Sequence, residues 1–279
     1  MQQGRRMGGS GSALFSDAEE YEANLFRTTR LLVEDDSEFR AHLTWIDLTD
    51  LRLLHARETV PRIAYVSLRP ERVSVVFAAQ QTSALLCNGV PLLLGDMICH
   101  GPSERFYQRT TGATSWASIG LTSGSLRAYC RTLAGRDLAR VQFGQILRPL
   151  PGEWRRLLRL HAEAMRIAET RLSHIGHPEV ARALEQDLIY ALVSCLTTAE
   201  PRGYSPATRR RIKLLLRFEE VLMACPRRSL HVSQVCEVIG VSERMLRICC
   251  LQFIGMAPDR YLHLRRLRQI STASGCTDH

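Results

Sequence analysis

The side chains most capable of specific chemistry are concentrated in residues 239–250, which read IGVSERMLRICC. A glycine precedes a serine that can cap a helix, and arginines then alternate with apolar residues and two adjacent cysteines. These residue types suit three different structures. They fit a helix that reads DNA, a metal or redox site at the cysteines, or an ordinary helix with a solvated face.

The arginines of this segment are candidates for the recognition of bases. If Ser242 caps a helix, the spacing i, i+3, i+4 and i+7 defines an inward stripe of Leu246, Cys249, Cys250 and Phe253. The opposite face then carries Glu243, Arg244, Arg247, Ile248 and Leu251, which are the candidates for contact with DNA. In the major groove an arginine can donate two hydrogen bonds to guanine, and an apolar side chain can contact a thymine methyl group. We therefore expect Arg244 and Arg247 to read bases and Ile248 to contact thymine. The plainer interpretation is a solvated arginine face.

The nine cysteines favour packing over chemistry. No apolar leader follows the first residues and no C-x-x-C pair occurs, so we expect a reducing compartment, the cytoplasm, and no disulfide framework. Adjacent helix positions point about 100° apart, and a vicinal disulfide is strained. We therefore expect Cys249 and Cys250 to be small core residues.

The positive charge of the chain is concentrated near its end. Residues 201–279 carry 14 basic and 6 acidic side chains, whereas residues 1–200 carry 23 and 22. A basic module beside a nearly neutral body suggests an anionic partner, and nucleic acid is the usual one. An arginine-rich solvated surface explains the charge alone equally well.

The elements that position these side chains can be predicted from residue patterns. Between residues 39 and 122, β-branched or alternating runs are separated by Pro, Gly, Asn or Asp, which favours an antiparallel sandwich or barrel. The strand runs are HLTWIDL, RIAYVSL, RVSVVFAA, SALLCNG, VPLLLGDMICH and SWASIGLT. Asn88-Gly89 and Gly95-Asp96 are turn signals of a hairpin. No run is apolar for the ~18 residues that span a membrane.

Helical periodicity replaces the strand pattern after Ser123. Residues 153–172 and 178–198 carry apolar stripes and are expected to pair. Two prolines and a glycine within residues 199–206 then favour a linker at residues 201–205. The predicted organisation is a flexible tail (1–12), a β-rich domain with C-terminal helices (13–200), and a basic helical domain whose expected partner is nucleic acid (206–279). The fold class is α+β.

The last domain has the pattern of a helix-turn-helix. We expect one helix over residues 206–225, a second that begins near His231 and stops at Gly240, and a third over residues 242–253 that Gly255 ends. The N-terminal part of the third helix is the part that enters the major groove in such units.

Three segments then resemble the AraC/XylS family of bacterial transcription regulators. They are LHVSQVCEVIGVSERMLR (230–247), FIGMAPDRYL (253–262) and LRRL (264–267), and they match the family patterns G-V-S-x-R-x-L, F-x-G-x-x-P-x-x-Y-L and R-L. The resemblance covers about residues 210–270. It implies recognition by Arg244, Arg247 and Ile248, and we also expect Arg265 in the last motif to contact DNA.

The resemblance also implies two helix-turn-helix units joined by a helix that runs here from Pro258 through Arg268. Because 12 residues follow Leu267, we expect the second unit to be missing, as a truncation or a natural short form. Specific binding by a monomer should then be weak or lost. A cupin-like N-terminal domain that senses a ligand and dimerises is common in the family, so the resemblance implies a sensing or dimerisation role for residues 13–200. This β-rich region is similar to that of the family's ethanolamine-operon-regulator-like branch.

The resulting hypothesis is a cytoplasmic, non-enzymatic regulator of the activator type. Its expected partners are double-stranded DNA, a small-molecule effector, a second copy of the chain and RNA polymerase, with no membrane and no cofactor. One alternative is a short form that acts through its N-terminal dimerisation domain, and another is a small-molecule-binding β-barrel. No metal site is expected, because His42, His55 and His100 lack the usual clustering of ligands.

Overall fold

The computed structural model describes residues 9–25, 29–35, 37–80, 83–135, 143–170, 176–225 and 230–274. Its strands are β1 (Gly11–Phe15), β2 (Thr29–Val33), β3 (Ala41–Asp47), β4 (Arg52–Glu58), β5 (Arg62–Ser67), β6 (Arg72–Gln80), β7 (Leu85–Cys87), β8 (Val90–Leu92), β9 (Met97–His100), β10 (Arg105–Thr110), β11 (Thr114–Thr122), β12 (Ile146–Arg148) and β13 (Glu200–Arg202). Its helices are α1 (Ala18–Leu25), α2 (Ser123–Ala134), α3 (Pro151–Thr170), α4 (Pro178–Thr198), α5 (Pro206–Ala224), α6 (Val232–Ile239), α7 (Glu243–Phe253) and α8 (Pro258–Ser274). The predicted α+β class is confirmed. No helix in the described ranges is both long enough and apolar enough to cross a membrane.

The strands form two antiparallel sheets that stack as a sandwich. The larger sheet has eight strands in the order β1-β3-β4-β11-β6-β9-β12-β13, and the smaller has five in the order β2-β5-β10-β7-β8. Alternate residues of both sheets, among them Leu43, Val66, Val76 and Phe106, point inward and form the core between them. A turn with positive φ at Asn88 (48°) and Gly89 (71°) joins β7 to β8, as the hairpin signal predicted.

Helices α2, α3 and α4 cover the outer face of the eight-stranded sheet. Val75 and Phe77 of β6 pack there against Trp154 and Leu157 of α3 and against Leu188 of α4. Arg156, near the start of α3, lies 3.7 Å from Asp187 in α4. The expected helix pair is therefore present.

Helices α5 to α8 cover the outer face of the five-stranded sheet and form the helix-turn-helix module (residues 206–274). Its core is continuous with the sheet, because Tyr65 and Tyr107 belong to the same apolar cluster as Leu215, Phe218 and Phe253. Helix α8 begins at Pro258 as expected but runs six residues past Arg268, the predicted end. Residues 275–279 lie outside the described part of the chain.

Two segments predicted as irregular contain strands. β1 begins at Gly11, inside the predicted tail, whose residues 1–8 lie outside the described residues. β13 covers the first two residues of the predicted linker and pairs with β12 at the sheet edge. Ion pairs with buried Asp96 stabilise the pairing of β12 and β13. Oδ2 of Asp96 lies 3.1 Å from Nη1 of Arg202 in β13, and Oδ1 lies 2.6 Å from Nη2 of Arg148 in β12. The start of the linker is therefore part of the sheet.

Candidate nucleic-acid interface

The turn before α7 has the geometry that its sequence predicts. Gly240 ends α6 in the left-handed region with a φ of 72°, and its N–H donates to the carbonyl of Cys236 at 2.9 Å. The hydroxyl of Ser242 then accepts the N–H of Met245 at 3.3 Å, which satisfies one free donor of the first turn. The predicted cap is confirmed, and it fixes where the next helix begins.

One face of α7 is buried in the module. Leu246, Cys249, Cys250 and Phe253 are each no more than 1% exposed and pack against Phe218 and its neighbours. Burial raises the pKa of the Cys249 and Cys250 thiols, with little relief from the charges around them. A thiol kept protonated is a poor nucleophile and a poor metal ligand, so both cysteines are core residues, as predicted.

The opposite face of α7 is open to solvent. Ile248 is 40% exposed and Leu251 is 46% exposed. Glu243, Arg244 and Arg247 are exposed as well. The structure therefore brings five of the six predicted DNA-contacting residues onto one accessible helix face.

Arg265, the sixth, is placed elsewhere. It is 8% exposed and its Nη1 donates a hydrogen bond to the carboxylate of Glu219. Burial opposes its charge, but Glu219 holds its pKa above the usual arginine value. The side chain of Arg265 therefore lies inside the module and not on its exposed face. The prediction that Arg265 contacts DNA is at odds with this arrangement, and Arg265 is better described as a support of the module core.

Glu219 is the residue that the sequence patterns missed. It is fully buried on α5 and accepts hydrogen bonds from Tyr107 at 2.7 Å and from Tyr261. Burial, and then the nearby carboxylate, raise the pKa of both tyrosines well above 10.0. Since Tyr107 lies on β10 and Tyr261 and Arg265 lie on α8, one carboxylate links the sheet, the first helix of the module and α8.

Further contacts hold the module against the sheet. Arg105 of β10 lies 3.0 Å from Glu220, and Arg260 of α8 lies 2.7 Å from Glu34. Gly255 has a φ of 88°, and a Cβ there would lie 1.9 Å from Nη1 of Arg109. The presence of glycine at the end of α7 thus allows β10 and the module to approach closely.

Within the module, α5 supports α7 directly. Arg211 Nη1 donates to the side-chain oxygen of Gln252 at 2.6 Å. The same helix exposes Arg210, Lys213 and Arg217, which the sequence patterns had not singled out. The positive charge of the module is therefore carried by α5 as well as by α7.

Each of the three histidines considered as metal ligands has its own partners within the protein. His42 contacts Ser12 and Arg57, His55 contacts Ser115 at 2.8 Å, and His100 contacts Glu104 at 2.8 Å. No group of three His, Cys, Asp or Glu residues in the described ranges has the geometry to hold a metal ion.

A buried ion pair lies in the interior of the sandwich, beside the turn that joins β4 to β5. Arg62 Nε lies 3.0 Å from Glu58 Oε2. The same carboxylate accepts hydrogen bonds from Tyr21 of α1 and from the indole of Trp116. Nη1 of Arg62 donates to the backbone oxygen of Gln108, and Nη2 donates to its side-chain oxygen. Protein groups therefore satisfy the polar atoms at this position.

Solved structures share this architecture to different degrees. The AraC-like transcriptional activator CuxR aligns with a TM-score of 0.50 at 15% identity, over 94% of this chain and 95% of its own. ToxT from Vibrio cholerae, with a bound unsaturated fatty acid, aligns with a TM-score of 0.30 at 8% identity over 83% of each chain. An RmlC-like cupin from Shewanella frigidimarina aligns with a TM-score of 0.24 at 9% identity, over 34% of this chain and 85% of its own.

Of these three, CuxR is similar enough to define the fold. The chain therefore shares the fold of CuxR, a β-sandwich followed by a helical module. No protein-family model matches the sequence, and no curated protein sequence matches it.

Proposed function

We propose that this chain is a DNA-binding regulator of transcription that reads the major groove with α7. The observation that carries the proposal is the division of α7 into two faces. One face is buried in the module, and the other presents Arg244, Arg247 and Ile248 to solvent beside a capped N-terminus. A helix held in this way is available to base edges, and arginine and isoleucine suit guanine and thymine respectively.

Phosphate contacts have a natural source in α5. Its exposed Arg210, Lys213 and Arg217 add positive charge to the helix that packs behind α7. Contacts of this kind set the position of a module on the duplex and release counterions, so that affinity falls as salt rises. The resemblance to AraC/XylS regulators and the fold shared with CuxR support the same function. Effector binding, dimerisation and contact with RNA polymerase remain predictions.

Selection from a random double-stranded DNA pool tests the function without knowledge of an operator. The full chain should enrich one sequence family, and a gel-shift titration should give an affinity that falls linearly with the logarithm of salt concentration. Recovery of no common sequence, together with an affinity that does not respond to salt, would refute the proposal.

A further inference from the structure

The two sheets of the sandwich end in four edge strands, and residue type protects two of these against pairing with another strand. The edge strand β8 contains Pro91, and the edge strand β13 contains Pro201 between two charged residues. Proline cannot donate a backbone hydrogen bond, and charged side chains resist burial. Both features therefore discourage the addition of a further strand at these edges.

The edge at β2 is covered by a helix instead. The N–H of Leu31, in the middle of β2, donates to Oε2 of Glu22 in α1 at 2.6 Å. Arg268 of α8 lies 2.8 Å from the same carboxylate. A backbone donor of this edge is therefore already satisfied, and α1 lies where an added strand would pair.

The fourth edge, at β1, lacks these protections in the described part of the chain. Its sequence, GSALF, contains no proline and no charge, and it pairs with β3 along its whole length without a bulge. No described strand pairs with its other side. Leu14 is 81% exposed, more than any other large apolar side chain in the described ranges. A regular, uncharged edge of this kind favours pairing with another strand.

The strand β1 is held firmly in its sheet, so that its outer edge is preformed. Phe15 is 3% exposed and packs in the core between the two sheets. The hydroxyl of Ser12 contacts Nε2 of His42 at 2.5 Å and the hydroxyl of Thr44 at 3.2 Å. A partner strand would therefore meet an ordered backbone, which lowers the entropic cost of pairing.

We propose that β1 is a self-association surface, on which β1 of a second copy of this chain pairs antiparallel and joins the two eight-stranded sheets. A second copy fits because a two-fold axis gives each strand the same unprotected edge that it offers. The strand is also neutral, so no like charges meet along it.

The residues of β1 are complementary to themselves in this arrangement. With the two-fold axis at Ala13, all five residues pair, so that Gly11 lies opposite Phe15 and Ser12 lies opposite Leu14 of the second copy. Residues directly opposite each other share one face of a sheet. Each exposed Leu14 is then covered by the other copy, and each Gly11 leaves room beside a phenylalanine ring.

Sedimentation equilibrium of the full chain, without DNA, tests the proposal. Five paired residues on each side bury less than the roughly 1,200–2,000 Å² of a standard interface, so the dimer should be weak and reversible. We expect monomer and dimer in an equilibrium that shifts toward dimer as the protein concentration rises.

Two leucine variants locate the surface. Leu14→Arg brings like charges together across the pairing edge and should raise the dissociation constant of the dimer at least about tenfold. Leu93→Arg, in the turn between β8 and β9 where the side chain is 47% exposed, is the matched control and should associate like the parent. Because both leucines are exposed, thermal unfolding of both variants should stay close to that of the parent.

Cysteine cross-linking tests the register of the pairing. The two Ala13 residues lie directly opposite each other at a Cα separation of about 4.5–5.5 Å, which suits a disulfide. Ala13→Cys should therefore form a linked dimer under mild oxidation, and the parent chain, with its nine cysteines, sets the background. Leu14→Cys should link much less, since the two Leu14 residues are diagonal neighbours about 7–8 Å apart.

Three results would overturn the surface. They are a chain that stays monomeric at every concentration, equal association of Leu14→Arg and Leu93→Arg, and cross-linking of Ala13→Cys no faster than that of the parent. Equal association of the two leucine variants would mean that the copies meet through another face. Because the inference goes beyond DNA binding and none of these measurements uses DNA, each of these results leaves the proposed function unaffected.

Discussion

The hydroxyl of Tyr107 donates a 2.7 Å hydrogen bond to the carboxylate of Glu219, and this bond joins the five-stranded sheet to the first helix of the module. Both residues are at most 1% exposed. Because Glu219 also accepts from Tyr261 and pairs with Arg265, the orientation of α8 depends on the same carboxylate. The sandwich and the module are therefore connected by a specific polar contact inside an apolar interface.

Removal of the Tyr107 hydroxyl should weaken this connection moderately. Tyr107→Phe keeps the ring and leaves Glu219 with two donors, so we expect a loss of about 1.5–3 kcal/mol in the free energy of unfolding, as for a hydrogen bond to a charged group. Urea denaturation of the parent and the variant measures this difference in the free energy of unfolding. Tyr190→Phe on α4, where the side chain is 46% exposed, is the control and should change stability little. Equal effects of the two variants would contradict the role of the bond.

Loss of the Glu219 charge should be more damaging. Glu219→Gln leaves Arg265 charged and buried without a counter-ion, which typically costs about 3–5 kcal/mol. In the double variant Glu219→Gln/Arg265→Met the unpaired charge is gone, so much of the stability should return in the same denaturation experiment. If the double variant is as unstable as Glu219→Gln alone, the ion pair is not the source of the cost.

Substitutions at the two glycines that flank α7 make it possible to measure the cost of backbone strain apart from the cost of steric crowding. Gly240 has a φ of 72° with open space around it, whereas Gly255 has a φ of 88° and Arg109 in contact. Gly240→Ala should cost about 1–2 kcal/mol of unfolding free energy for the left-handed conformation alone, and Gly255→Ala should cost more. In an Arg109→Ala background, the cost of Gly255→Ala should fall to that of Gly240→Ala. A cost that is unchanged in that background would exclude crowding by Arg109.

Buried His161 and partly buried His55 should make the fold sensitive to acid. Burial lowers the pKa of His161 to about 3 and that of His55, its neighbour, to about 4. The unfolded chain takes up these protons near pH 6.5 and the folded chain does not. The contribution of these two histidines to the free energy of unfolding is therefore fully present above pH 6.5. It is lost progressively as the pH drops toward 4. The loss is about 1.4 kcal/mol per pH unit for each histidine in that window.

The variant His161→Phe tests this acid response. Unfolding free energy measured by denaturant between pH 7.5 and 5 should fall less steeply than in the parent, because one of the histidines with a lowered pKa is gone. Phe77→Leu is the matched control, since Phe77 contacts the His161 ring but does not titrate. It should lower stability at every pH and keep the parent slope. A parental slope for His161→Phe would contradict the assignment.

Local patterns predicted much of the fold. The alternating runs at β3, β5, β6 and β11 became strands, and the stripe of α7 became its buried face. These predictions succeeded because the hydrophobic period of a strand or a helix can be recognised from residues that are consecutive in the sequence. Strands β4 and β10 were missed, because Arg52, Arg57 and Arg105 interrupt their apolar pattern, and neighbouring strands on both sides stabilise them.

The candidate site was predictable only in part, for the same reason. Ser242 and the outward residues of α7 follow from spacing along one helix. The burial of Arg265 depends on Glu219, a residue 46 positions earlier, and the pairing arises only when α5 and α8 pack together. A similar limit applies to Arg62, whose charge is accommodated in the sandwich because Glu58 lies across the turn.

The most direct measurement is the affinity of the chain for its selected DNA when the outward arginines of α7 are removed. The variant Arg244→Ala/Arg247→Ala should lose at least tenfold in specific affinity, since each guanine contact contributes roughly 1–3 kcal/mol. Arg127→Ala/Arg131→Ala on α2 removes the same charge from an exposed surface and should bind like the parent. If the α7 variant binds the selected sequence as tightly as the α2 variant, α7 is not the helix that reads DNA.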